Sequence, residues 1–126
     1  QTVSMKKRWD GHKPTNLEKK DLLTQTVGLL KECHESLYQK AHDRLYGKLK
    51  WYDSYQGLKE HFSDKNAGFA LVYWCEDNHM EQKLKDELSV TVRCLPFESL
   101  LGKDLQGECF FSNSQQGRLA ILGRAY

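Results

Sequence analysis

From Phe69 to Phe97 the apolar and polar positions change period twice. Phe69-Ala-Leu-Val-Tyr-Trp-Cys75 is an unbroken apolar run between Gly68 and an acidic cluster, the pattern of a strand covered on both faces. In the next segment, Glu76 to Leu88, the residues Met80, Leu84 and Leu88 fall four apart and mark one stripe of a helix. Val90-Thr-Val-Arg-Cys-Leu-Pro-Phe97 is β-branched and alternating, which predicts a second strand. A strand, a helix and a strand within about thirty residues form a compact βαβ unit, with a right-handed crossover as the default.

The pattern on either side is sparser. Gln1 to Ser4 alternates weakly, and Asp10-Gly11 signals a tight turn. Residues 1–13 therefore read as the tail of a strand and a turn from another domain. Thr15-Asn-Leu-Glu18 has the form of a capping box. Behind it, Leu22, Leu23, Val27, Leu29, Leu30, Cys33, Leu37, Tyr38, Ala41 and Leu45 recur at helical spacing. This predicts a long connector helix from about Leu17 to about Tyr46, within residues 14–47 and ended near Gly47. Its apolar stripe is long enough to predict docking on something.

Residues 48–126 form the predicted main domain. Leu49-Lys-Trp-Tyr52 is a short strand, and Asp53 or Ser54 caps a helix from Tyr55 to about Phe62. After the βαβ unit come a glycine- and charge-rich loop, Glu98 to Glu108, a polar turn from Ser112 to Gly117, and a last strand, Arg118 to Gly123. The order β-α-β-α-β-β predicts an α/β (α+β two-layer) fold: a mixed four-stranded sheet with two helices on one face.

Composition narrows the function. The chain has 126 residues, a formal net charge of +2, 29% charged and 39% apolar residues, an ordinary soluble composition. So slight a positive charge argues against a dedicated nucleic-acid binder. No apolar run approaches the roughly 20 residues that span a bilayer, and no signal-peptide core is visible. A start at Gln1 reads as a processed or excised fragment of a cytoplasmic protein. The cysteines Cys33, Cys75, Cys94 and Cys109 contain no Cys-x-x-Cys pair, so buried, reduced thiols are the plain reading.

Candidate chemistry is thin. No glycine-rich phosphate loop and no His-Glu-x-x-His occurs. His34 and His42 fall on a polar helix face and, with His12, form no ligand pattern. Cys75 precedes a helix N-terminus, where the dipole would activate a thiol, and His79 lies about a turn beyond it. Glu76, Asp77 and Glu81 oppose a thiolate there and suit a helix N-terminus. Lys6, Lys7, Arg8, Lys48 and Lys50 offer a competing reading, a free-standing RNA-binding or protein-interaction module.

Trp74-Cys75, Glu81-x-Lys83-Leu84-Lys85, Arg93-Cys94-Leu95-Pro96-Phe97 and the end Gly123-Arg124-Ala125-Tyr126 occur in this order. Together they resemble the C-terminal domain of prolyl-tRNA synthetase of the archaeal and eukaryotic type. The resemblance covers the whole chain. It implies that residues 1–13 end an anticodon-binding domain, that the long helix is its connector, and that residues 48–126 brace the anticodon-binding and catalytic domains of the same synthetase. In many members of the family four cysteines bind zinc. Here Cys75 and Cys109 match the first and third, and Met80 and Ser112 replace the second and fourth. Four tight ligands make structural zinc worth about 10–16 kcal/mol, and two thiolates leave the ion half hydrated. The resemblance thus implies an empty, vestigial site, with Met80 and Phe111 packing in its place and His79 as a conceivable third ligand. It implies no catalytic or cofactor-binding residue in this chain. ATP, magnesium, tRNA(Pro) and a homodimer belong to the parent enzyme. Tyr126 is the candidate domain contact.

Overall fold

The computed structural model describes every residue except Asp10, His12, Asn113, Ser114 and Tyr126. The Asp10 half of the first predicted turn and the domain-contact candidate Tyr126 therefore lie outside the described residues. The chain divides into two compact units, Gln1–Arg44 and Leu45–Tyr126.

In the first unit, strand β1 (Thr2–Met5) pairs antiparallel with strand β2 (Thr15–Glu18), Val3 opposite Leu17. The capping-box reading of Thr15–Glu18 is thereby corrected. The same four residues fit a strand, and β1 supplies ladder partners that a helix start would forgo. Lys19 N–H continues the pairing onto the Gln1 carbonyl at 3.0 Å. A 3-10 turn, Lys19–Asp21, leads into helix α1 (Leu22–Tyr46), which starts later than the periodicity suggests. α1 buries none of its residues. Leu23 and Leu30 are 80% and 65% exposed, so the stripe expected to dock does not do so among the described residues. Lys7 pairs with Glu32 on α1 at 2.6 Å, and Lys40 donates to the Trp9 carbonyl at 2.7 Å.

The second unit holds strand β3 (Lys50–Trp51), helix α2 (Tyr55–Ser63), strand β4 (Ala70–Trp74), helix α3 (Asn78–Leu88) and strands β5 (Val90–Cys94), β6 (Gln106–Glu108) and β7 (Gln116–Arg124). Its sheet runs β3-β4-β7-β5, with β6 also on β7. β3 and β4 are parallel, and every other pairing is antiparallel. The α+β class and the mixed sheet are as the pattern predicts. The sheet has five strands, however, because β6 forms inside the segment expected to be a loop. Gln106-Gly-Glu108 has no apolar signal, and its ladder is made by a distant partner, with Gly107 opposite Gly117. β4 and β5 do flank a crossover helix, but β7 lies between them.

Alternation in β4 explains the layers. Ala70, Val72 and Trp74 face one side with Leu58 and Phe62 of α2, Leu84 of α3, and Ala120 and Leu122 of β7. Leu71 faces the other side with Leu49, Leu119 and Ile121. Each fully buried aliphatic here contributes about 1.5–3 kcal/mol. Both helices therefore cover one face. α2 is capped by Ser54, whose Oγ accepts from Gly57 N–H at 3.3 Å. α3 is capped by Asp77, which accepts from Met80 N–H at 2.9 Å. α3 begins two residues later than expected because Glu76 takes φ +55°, outside the helical region.

Candidate functional site

Two places gather polar or reactive groups around the main sheet. The first is the corner where β4 ends. β3 pairs with β4 only as far as Leu71, which leaves the next carbonyl on that edge without a strand partner. The chain after β6 fills the gap, Phe110 N–H donating to the Tyr73 carbonyl at 3.0 Å. Cys109 N–H donates to the Gln115 carbonyl at 3.0 Å. These bonds bring the segment of Cys109, 1% exposed, to the end of β4, beside the partly exposed Cys75. Burial, the Cys109 thiol and the Asp77 carboxylate push the Cys75 thiol up to about 12. That overturns the helix-activated thiol: desolvation and neighbouring negative charge outweigh the dipole of α3.

Around the thiols the packing is apolar. Phe110 and Phe111 lie edge to face at 5.0 Å, and Phe111 lies 5.4 Å from the Trp74 ring. Met80 and Phe111 both pack on the main core. Met80 is therefore part of the hydrophobic layer, and Ser112 contributes at most a hydroxyl. His79 is exposed and lines an open cleft with Gln82, Lys83, Asp86 and Glu87, on another face of α3 from Met80. Among the described residues, no group of three or more His, Cys, Asp or Glu side chains is placed to hold a metal ion. A tetrahedral zinc centre needs four strong donors. The donor set here is two thiols, with a thioether packed on the core, and it does not fit that ion.

The second place is the end of β7. β5 carries a bulge between Val92 and Cys94, which re-aims the intervening side chain. Arg93 then donates to the Arg124 carbonyl, and Arg124 donates to the Phe62 carbonyl at the end of α2. Ala125 N–H donates to the Ser89 carbonyl at 2.8 Å. Neither arginine role is visible in the sequence, because a carbonyl acceptor carries no residue signature. His61 lies between the Tyr52 and Phe62 rings, with Nε2 3.3 Å from the Gly68 carbonyl. Desolvation lowers its pKa, and Lys50 and Arg124 push the same way, against the Gly68 carbonyl and Asp64.

Lys6, Lys7 and Arg8 belong to the first unit and Lys48 and Lys50 to the second. No helix of the described residues is long and apolar enough to cross a membrane.

The second unit is a two-layer α+β module with an apolar core and a final strand clamped by Arg93 and Arg124. Residues 55–126 match the family described as prolyl-tRNA synthetase, C-terminal. A proline–tRNA ligase of Bacteroides fragilis is 32% identical over 104 residues, which is 82% of this chain and 20% of that protein. The proline–tRNA ligase 2 of Bacillus thuringiensis subsp. konkukian is 33% identical over 100 residues, 78% of this chain and 20% of its own length. The chain belongs to the family of prolyl-tRNA synthetase C-terminal domains. It spans about a fifth of the length of the curated relatives it matches.

Proposed function

We propose that this chain is the bracing C-terminal part of a proline–tRNA ligase of the archaeal and eukaryotic type, which joins proline to tRNA(Pro) using ATP. In this reading the catalytic and anticodon-binding domains of the same synthetase are its immediate partners. ATP and magnesium act in the catalytic part, this chain takes no zinc, and the whole enzyme is a cytoplasmic homodimer. Tyr126 is the residue proposed to touch the catalytic domain. The observation that carries the reading is the family match over residues 55–126, on a fold whose buried side chains, among the described residues, are all apolar. Such a module can stiffen neighbouring domains, and among the described residues no convergent catalytic set stands out.

The test uses the isolated chain and the parent ligase with this region deleted. The isolated chain should give no proline-dependent exchange between ATP and pyrophosphate. The deleted ligase should charge tRNA poorly and recover when the chain is added in trans. Turnover by the isolated chain would overturn the reading. So would a deletion that leaves charging and melting unchanged. Tight tRNA binding by the isolated chain that falls steeply with salt would favour an RNA-binding module instead.

A further inference from the structure

Helix α1 carries two stripes that step alternately by four and three residues and run one residue out of phase. Leu22, Thr26, Leu29, Cys33 and Ser36 are partly buried. Leu23, Val27, Leu30, His34, Leu37 and Ala41 are exposed. One residue is about 100° of helical turn, so the two stripes look in different directions. The segment after β1 is tied to α1 through Glu32 and Lys40, neither of which lies on the exposed stripe. We propose that the exposed stripe is the seam of a parallel two-stranded coiled coil, and that its occupant is a second copy of this chain. The inference is read from this chain alone and does not rest on the bracing role or on the homodimer proposed for the whole enzyme.

The spacing selects a helix as the occupant. Alternate steps of four and three make a heptad seam, in which Leu23, Leu30 and Leu37 take the d positions and Val27, His34 and Ala41 the a positions. A second copy supplies the same pattern to fill the holes between these side chains. Leucine at each d with a β-branched residue at an a position favours two parallel strands. The flanking charges agree. Parallel and in register, Lys31 at e faces Thr26 of the second copy at g, and Tyr38 faces Cys33. The antiparallel register that lays stripe on stripe would instead set the two copies of Lys31 against each other. In the parallel pair His34 meets its own counterpart, a single polar a position of the kind that fixes register and strand number at a cost in stability. Area sets the strength. Leu23, Val27, Leu30, Leu37 and Tyr38 are each more than half exposed, and burying them in both copies removes under about 1,000 Å² of apolar surface. Interfaces of that size are weak and reversible.

Sedimentation equilibrium of the full chain, under reducing conditions and between about 1 µM and 1 mM, tests the pairing. The expected result is a monomer that passes to a dimer within that range, with amide protection along α1 rising as it does. Leu30→Lys should weaken the association at least about tenfold. Gln25→Lys, on the opposite face of the same helix, carries the same charge and should leave it unchanged. His34→Leu should tighten association and allow species larger than a dimer, because the register-fixing position is gone. Leu37→Cys, mildly oxidised at high concentration, should yield a digest peptide joined through that position to its own copy, since facing d positions meet disulfide spacing only in the parallel pair. A monomer throughout the range would overturn the proposal and leave the stripe to another part of the parent ligase. Equal association of Leu30→Lys and wild type would overturn it too, by moving the contact to another surface. So would a dimer in which Leu37→Cys fails to link to itself. Leu30 is exposed, so Leu30→Lys should keep the dilute chain's circular dichroism. If it does not, the wild-type series and the cross-link decide.

Discussion

Gly68 sits where the chain passes close to its own backbone: a Cβ there would lie 2.2 Å from the Lys48 carbonyl oxygen. The obstacle is backbone, so Gly68→Ala must displace the entry to β4, and overpacking of this kind costs about 1–3 kcal/mol. Gly28 is the opposite case. It lies in α1 with nothing within 4 Å of a Cβ, so Gly28→Ala should stabilise that helix by about 0.5–1 kcal/mol. Denaturant unfolding of the Gly68 variant and helix content of the Gly28 variant on heating check the two. His61 makes the pH prediction. Its folded pKa is lowered, first by desolvation and then by Lys50 and Arg124. Well above the unfolded value near 6.5 both states are neutral there, and the group adds no pH dependence. As pH falls through that value the unfolded chain binds the proton first, so stability declines until the folded pKa is passed. Melting midpoints should drop between pH 7.5 and 5, and His61→Gln should flatten that slope while keeping a donor for Gly68. An unchanged slope would assign the effect to other histidines.

At the scale of elements, capping decides where α3 begins. Asp77 accepts from Met80 N–H at 2.9 Å, and Met80 packs on the core, so the cap fixes the register of a buried side chain. Asp77→Ala should cost about 0.5–2 kcal/mol and Asp77→Asn much less; urea midpoints of the two variants decide it. A loss as large in the asparagine variant would mean that charge, not the hydrogen bond, dominates. The same helix marks how far the sequence could be read. β4 was legible as an unbroken apolar run because Ala70, Leu71 and Val72 are buried on both faces, and α3 and β5 because burial of Leu84 and Val90 imposes period four or two on neighbouring positions. β2 was misread because Thr15-Asn-Leu-Glu18 suits a cap or a strand equally, and pairing with β1 decides. β6 was missed because its stability comes from β7, ten residues on. Of the corner, the cysteine positions were legible only through resemblance to a known domain. The approach of the Cys109 segment to the end of β4 depends on the short reach of β3, a property of the sheet.

At the scale of the whole molecule, burial is divided unequally. Among the described residues, every buried apolar side chain, from Leu49 through Leu122, belongs to the second unit. α1 contributes none, and its apolar positions Leu23, Val27, Leu30 and Leu37 are more than half exposed. Isolated helices draw most of their stability in proteins from a packed face, so α1 has little to resist local opening. The second unit closes its ladder without the first: β3 to β4, β4 to β7, and β7 to β5 and β6. A piece comprising residues 45–126 should therefore fold alone, with near-ultraviolet dichroism like that of the full chain. Its melting midpoint should lie within about 4 °C of the full chain's, since about 1 kcal/mol moves a domain this size by roughly 4–8 °C. Amide exchange in the full chain should agree. Protection should be weak along α1 and reach the global unfolding value at Leu71, Val72, Ala120 and Leu122, whose strands pair at the centre of the sheet. If the shorter piece instead melts far below the full chain, α1 stabilises the sheet by a route other than burial, and its exposed stripe would have to be counted as part of the domain's core.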